Sequence, residues 1–553
     1  MQSCCIIRQV RKKQEKKENF WMRVKNWFSN HCCFVLLALS LVTLIIIVVF
    51  LLTQKRPLVI SVVQFSKGSG FYDNDIEVEL NADNGRENII YTLDTEGIEK
   101  TGEKYEGSIK LVVPEEGYKL YTLMAAYCLE DVKCGKTVTK TYVLGKNVYE
   151  DVDLDIINII SQEENLYDYE KGILVTGKTF DENAKDEESD YINGNYNQRG
   201  DEWIRDARIV MIDKSGSEKI NKALGLQVAG GTSSALAVKS LKLVGNKKYG
   251  YDKISFDFGD GPKLYNSLRL RSGAQDQYFG NIRSSVTSRL AKESGFDGST
   301  ETKRVVVFLN NEFYGIFDAQ QTYSDSFLAD YFDLPDSNLV MKYKESESGV
   351  LQEVGIDKLF RQNLNMVENR EALESVVDMD NYLMYFALEI MWNNTDWPQN
   401  NFEMWRYENN GDESYNEYGD GRYRFLIYDT DLTWYIDGNE DYYPGAIGDI
   451  FEYLMENTYR GGGSLFRYVM ASDYYQDKFI GILRNLMNGP FETGHILNIV
   501  DEEAAKIDRQ MRIFYTDEEY ASWQGWINLL KKAVSKRNSV VRDDVKKYFG
   551  VAL

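Results

Sequence analysis

Histidine is almost missing: His31 and His495 are the only two in 553 residues. With so little imidazole, the chain has few means to build a Ser-His-Asp triad or a His-rich zinc site. Proline is scarce at 7, and 43% of the residues are hydrophobic, so the chain is too apolar to stay disordered. Its length allows roughly two to four domains. Basic residues are outnumbered, 64 Lys and Arg against 86 Asp and Glu, for a formal net charge of -22. That excludes a nucleic-acid binder held by bulk charge. So acidic a surface repels anions and attracts divalent cations. Of the six cysteines, Cys4, Cys5, Cys32 and Cys33 cluster near the N-terminus. Cys128 and Cys134, in YCLEDVKCG, either close a small disulfide loop or remain free thiols, a choice that spacing leaves open.

One long apolar run is present. Residues 34–53 read FVLLALSLVTLIIIVVFLLT, about twenty positions without a charge, enough to cross a bilayer core. Gln54, Lys55, Arg56 and Pro57 follow, with no small-residue cleavage site, so the run is predicted to be an uncleaved transmembrane helix. Lys and Arg dominate 1–33. The positive-inside bias then predicts a basic cytoplasmic segment at 1–33, a single-pass anchor in the cell membrane at 34–53, a linker at 54–57 and an extracytoplasmic remainder.

From 58 to 148, runs such as IEVEL, IIYTL and SIKLVV alternate apolar with polar residues between GSG, DNG, PEEG and KCG turns. Several short strands at this spacing predict a small β-sandwich. The rows FSKGSGFYDNDIEVEL, IIYTLDTEG, YEGSIKL and LYTLMAAYC resemble the immunoglobulin-like domain at the C-terminus of chitobiase and hexosaminidase enzymes. Such modules act as spacers or weak binding platforms. Phe71, Tyr72 and Tyr105 then either touch cell-surface carbohydrate or fill the sandwich core.

Residues 149–553 are predicted to form one α+β domain. Strand-like runs include RIVMI, KSLKL, RVVVFL and YRFLIY, and the last hundred residues show the three- and four-residue apolar spacing of helices.

Chemistry is expected where carboxylates end apolar strands. RFLIYDTDLTWY places Asp429 and Asp431 at i and i+2, a pair able to share a hard cation such as Mg2+ or Mn2+, or simply to cap a turn. NNTDWPQNNFEMW supplies Asp396 and Asn401 five residues apart. In protein kinases, an Asp with an Asn five residues later forms the catalytic loop, and a later Asp holds metal. LQVAGGTSSALAVKSLKL sets Gly230, Gly231 and Ser233 in a turn before Lys239, an arrangement able to cradle phosphate or to serve as a hairpin turn.

Taken in order, LYDYEKGILVTG, NQRGDEWIRDARIVMID, VAGGTSSALAVKSLKL, YNSLRLRSGAQDQ, RVVVFLNNEFYGIFDAQQTYSDSFLADYF, NTDWPQNN and YDTDLTW resemble the CotH kinase family. The resemblance implies an atypical protein-kinase-like fold with a helical C-terminal part. It also implies ATP and Mg2+ or Mn2+ as cofactors and phosphate transfer to Ser or Thr of a protein substrate. By position it makes Asp396 the catalytic-loop aspartate, and Asn401 with Asp429 or Asp431 the metal ligands. Lys239, Arg271 in LRLRSG and Lys342 in NLVMKYK become nucleotide contacts, with Gly230, Gly231 and Ser233 in the phosphate loop. Gln321 stands where the family commonly has Glu, and Ser234 where it commonly has Arg. An inactive surface-binding scaffold is therefore a rival reading. A metal-dependent glycosyltransferase using Asp429-Thr430-Asp431 is another.

Overall fold

The computed structural model describes residues 16–27, 29, 40, 41, 43, 44, 61–129, 133–183, 193–408, 416–434, 449–456 and 464–553. The chain forms two compact units, Met1–Ser61 and Val62–Leu553. In the first, residues 16–27 are helical. The membrane assignment must be corrected here: among the described residues no helix is long and apolar enough to cross a membrane. The helix at 16–27 carries Lys16, Lys17, Glu18, Arg23 and Lys25. At 1.5 Å per residue it reaches only about 18 Å, short of a hydrocarbon core of about 30 Å. Of the apolar run 34–53 only Ser40, Leu41, Thr43 and Leu44 are described, all helical, and the rest of that expected span lies outside the described residues. The single-pass, outward-facing location expected from the run is not supported.

The second unit opens with short strands. Gly70–Tyr72, Val138–Leu144, Lys119–Leu129, Ile89–Thr92 and Glu103–Lys104 pair in that order, and Lys133–Cys134 adds to the edge of Lys119–Leu129. Ile76–Val78 pairs separately with Ile109–Leu111, and Gln64–Phe65 with Leu80–Asn81. Cys128 and Cys134 form a disulfide. Phe71 and Tyr105 are buried, so neither presents a face to a sugar.

The centre of the unit is a closed seven-stranded barrel in the order Asp155–Ile160, Arg205–Ile212, Glu218–Val228, Leu241–Val244, Ser267–Arg271, Glu312–Gln321 and Thr302–Leu309. Parallel pairing of 155–159 with 305–309 closes it. Alternation explains the packing: Ile157, Ile159, Leu241, Leu243, Leu268, Leu270, Val305 and Val307 fill the interior. Ile156, Ile160, Val306 and Phe308 join an outer apolar cluster. Phe71, Tyr118 and Leu120 from the opening strands belong to that same outer cluster, as do Ile507 and Met511 from the helix Thr493–Phe514. Phe313 stacks on Phe514 with centroids 4.1 Å apart.

A three-stranded sheet, Val340–Glu345, Phe402–Tyr407 and Arg424–Leu426, follows the barrel. The buried helix Met379–Met391 leads into the loop at 393–401. The chain ends in the long helices Asp473–Met487, Thr493–Phe514 and Asp517–Phe549. The last of these starts with a Thr516–Glu519 capping box and stops at Gly550 in the left-handed region (φ 70°), which glycine tolerates without strain.

Candidate active site

Two loops create the site. The loop after Met379–Met391 is held by Trp397, whose buried indole donates to Tyr385 Oη at 2.7 Å. It is tied to the loop after Arg424–Leu426 by Thr395 Oγ1 donating to Leu432 O at 3.1 Å and by Trp434 N donating to Trp392 O at 2.6 Å. Asn401 (φ 57°) and Asp429 (φ 60°) both occupy the left-handed region, where their short polar side chains cost less than others would.

Asn401 Nδ2 donates to Asp396 Oδ2 at 2.7 Å, and Asn400 Nδ2 to Asp396 Oδ1 at 2.9 Å. Burial, helped by the negative charge of Asp429, raises the pKa of Asp396. Arg271, on the barrel strand Ser267–Arg271, places Nη2 at 2.5 Å from Asp429 Oδ1 and 3.3 Å from Asp431 Oδ1. Gln275 N donates to Asp431 Oδ2 at 3.1 Å. Burial alone would raise both carboxyl groups. At Asp429 the Arg271 charge and hydrogen bond outweigh it, and the group titrates below the usual range. At Asp431 burial and the Asp429 charge together push the pKa well up.

Asp429 and Arg271 face a cavity of about 350 Å³ that Lys342, Lys242, Arg269, Lys344 and Glu403 also line. The connection Thr322-Tyr323-Ser324 forms another part of its wall. Of the predicted nucleotide contacts, Arg271 and Lys342 line this cavity, whereas Lys239, Gly230, Gly231 and Ser233 do not. Lys239 Nζ instead donates to Leu236 O at 2.8 Å and lies 4.4 Å from the Tyr196 ring centroid, with its pKa lowered by burial to about 8. Gly230 O accepts from Arg199, and Gly231 O accepts from Ser234 Oγ at 2.7 Å. Gln321 lies in the cavity wall with its amide on Glu301, accepting from its N–H and donating to its carboxylate.

The sequence reading missed Lys242, Arg269, Lys344 and Glu403. A signal for them exists. In LKL and LRLR the leucines point into the barrel, so the intervening basic residues share the opposite face, and Lys242 pairs with Arg269 across the strands. Lys344 is two residues beyond Lys342 on one strand and sits opposite Glu403 in register.

A hard divalent cation prefers oxygen ligands. Asp429 and Asp431 offer carboxylates, and Asn401, whose Nδ2 is committed to Asp396, offers its carboxamide oxygen. The donor chemistry therefore fits such an ion. Among the described residues there is no group of three or more His, Cys, Asp or Glu placed to hold one, so the set depends on the carboxamide.

A family match makes the chain an atypical protein kinase. The chain belongs to the CotH kinase family: the family described as CotH kinase protein matches residues 226–541, more than half of its length. The family implies ATP and a divalent metal ion in general terms. Among solved structures, the chain is similar to the Helicobacter pylori proinflammatory kinase CtkA, at 10% identity and a TM-score of 0.24, covering 51% of this chain and 94% of that one. It is also similar to a chain of the Shewanella oneidensis MR-1 toxin–antitoxin complex of HipA, HipB and operator DNA, at 12% identity and a TM-score of 0.23, covering 56% of this chain and 64% of that one. No curated protein matches.

Proposed function

We propose that the chain transfers the γ-phosphate of ATP to Ser or Thr hydroxyls of a protein substrate, with Mg2+ or Mn2+. The observation that supports this most is the Asp396–Asn401 hydrogen bond, in a loop tied directly to the one carrying Asp429 and Asp431. Asp396 accepts the proton of the attacking hydroxyl, and its raised pKa suits it to a base acting nearer neutral pH. Asn401 holds that carboxylate in place. Arg271 and Lys342 neutralise phosphate charge, so positioning and electrostatics do most of the work. The metal ion, when bound by Asp429, Asp431 and Asn401, supplies neutralisation of the phosphate oxygens. Family membership sets the glycosyltransferase reading aside.

The test is calorimetric titration of the full chain with ATP and with UDP-sugars, in Mg2+ or Mn2+, alongside an Asp429→Asn/Asp431→Asn variant and a radiolabel transfer assay. Metal-dependent ATP binding that the variant loses, with label transferred to protein, supports the kinase. UDP-sugar binding without ATP binding, or no nucleotide binding at all, overturns it, and the second result leaves the inactive scaffold.

A further inference from the structure

The cavity beside Asp429 holds more positive charge than its surroundings neutralise. Arg271 is engaged by Asp429 and Asp431, and Lys342 by Asp325 and the Tyr323 carbonyl. Lys242, Arg269 and Lys344 have no ion-pair partner among the described residues, and Arg269 Nε is sealed from solvent without a hydrogen-bond partner. Lys242 and Arg269 are direct cross-strand neighbours, a like-charge pairing that costs stability. Two acids act on these cations: Asp429, whose ion pair is with Arg271, and Glu403, whose pKa burial raises, which weakens it as a counter-charge. Burial correspondingly lowers the pKa of Lys242, Arg269 and Lys344. Desolvating cations without a matching counter-charge destabilises the fold, a penalty offset when a bound anion supplies the missing charge.

The rest of the wall says what kind of anion. Small-molecule pockets are usually lined by apolar and aromatic faces. Here Ile427 is the one aliphatic lining residue, and hydroxyls such as Ser267, Thr287 and Thr322 predominate. The Tyr428 ring is covered by Lys344 Nζ, 3.7 Å from its centroid. The Tyr323 hydroxyl is committed to Gly298 O and Ile427 O. A purine finds little to stack on, whereas a chain of phosphates meets, among the described residues, Lys242 and Arg269 unpaired and Lys344 held only against the Tyr428 ring.

We infer that this cavity recognises its phosphate donor through the polyphosphate chain, held by Lys242, Arg269 and Lys344, and is indifferent to the base. This rests on the kinase reading only in calling the occupant a donor; the anion site stands on the charge imbalance alone.

The experiment titrates the full chain with ATP, GTP and inorganic tripolyphosphate in Mg2+, with label transfer from ATP measured in parallel. ATP and GTP should bind within about threefold of each other and tripolyphosphate within about tenfold. Arg269→Gln and Lys344→Gln should each weaken all three alike by about tenfold or more, and Arg269→Lys should recover most of the loss; thermal melting establishes that each variant is folded. ATP binding about a hundredfold tighter than both GTP and tripolyphosphate would show a base-reading site and overturn the inference while leaving the kinase intact. Tripolyphosphate binding that depends on Arg269 without transfer from ATP would support the anion site and count against the kinase. Binding of none of the three would overturn the inference outright.

Discussion

Arg271 Nη2 lies 2.5 Å from Asp429 Oδ1, an ion pair formed across 158 residues of chain, and the same nitrogen is 3.3 Å from Asp431. One guanidinium thus stands between the two carboxylates expected to hold a metal ion. Removing it leaves the partly exposed Asp429 carboxylate without its charged hydrogen-bond partner, so Arg271→Met should cost about 1–3 kcal/mol in denaturant unfolding. Added Mg2+ or Mn2+ should raise the melting temperature of the variant more than that of the parent, because the cation replaces the lost charge. Equal shifts in both proteins would place the ion elsewhere.

Asp396→Asn removes the proton acceptor and keeps the shape. Phosphate transfer should fall about 10²–10⁴-fold, with ATP affinity within about threefold of the parent. In the parent, the transfer rate should rise with pH through a midpoint above the ordinary carboxylate range, since burial raises Asp396. Rapid-quench kinetics across pH measures both, and undiminished transfer in the variant would remove Asp396 from catalysis.

Glu347 and Glu389 are buried carboxyl groups, each with its pKa raised by burial to about 7. Each leaves one oxygen without a hydrogen-bond partner among the described residues. The folded state therefore holds these protons at pH values where the unfolded chain, titrating near 4.5, has released them. The sign follows: their stabilisation is complete below about pH 4.5 and is lost as pH rises towards 7, up to about 3 kcal/mol per group. Glu389→Gln should flatten that slope in urea unfolding measured from pH 5 to 8. A slope unchanged by both Glu347→Gln and Glu389→Gln would assign it to other groups.

Tyr118 donates to Gln510 Oε1 at 2.7 Å, joining the opening strands to the helix Thr493–Phe514, and Gln510 Nε2 donates to Asp151 O and Asp153 Oδ1. Tyr118→Phe leaves the buried carboxamide oxygen unpaired and should cost about 1–3 kcal/mol. Unfolding should stay a single transition followed by fluorescence and circular dichroism alike. A separate early transition would show that the opening strands fold independently.

Much of this was legible in short stretches. Short apolar runs marked RIVMI and RVVVFL as strands, and they lie within Arg205–Ile212 and Thr302–Leu309, because a buried strand declares itself in a few successive residues. Asp396 and Asn401 are five residues apart in a tight loop, so their hydrogen bond needed little beyond local geometry. Hydropathy over 34–53, by contrast, predicted a span that no described helix supplies.

What distance along the chain conceals, only the tertiary structure decided. Lys242, Arg269, Lys344 and Glu403 come from four strands, and no local pattern tells which strand faces which. Lys239 and Lys242 read alike in KSLKL, yet Lys242 alone lines the cavity and Lys239 turns to Tyr196. Lys242 lies on the strand Leu241–Val244, whereas Lys239 precedes it and folds back onto the turn at Leu236. The choice between the two lysines was made by barrel closure, which committed Leu241 and Leu243 to the interior and left Lys242 on the side of Arg269.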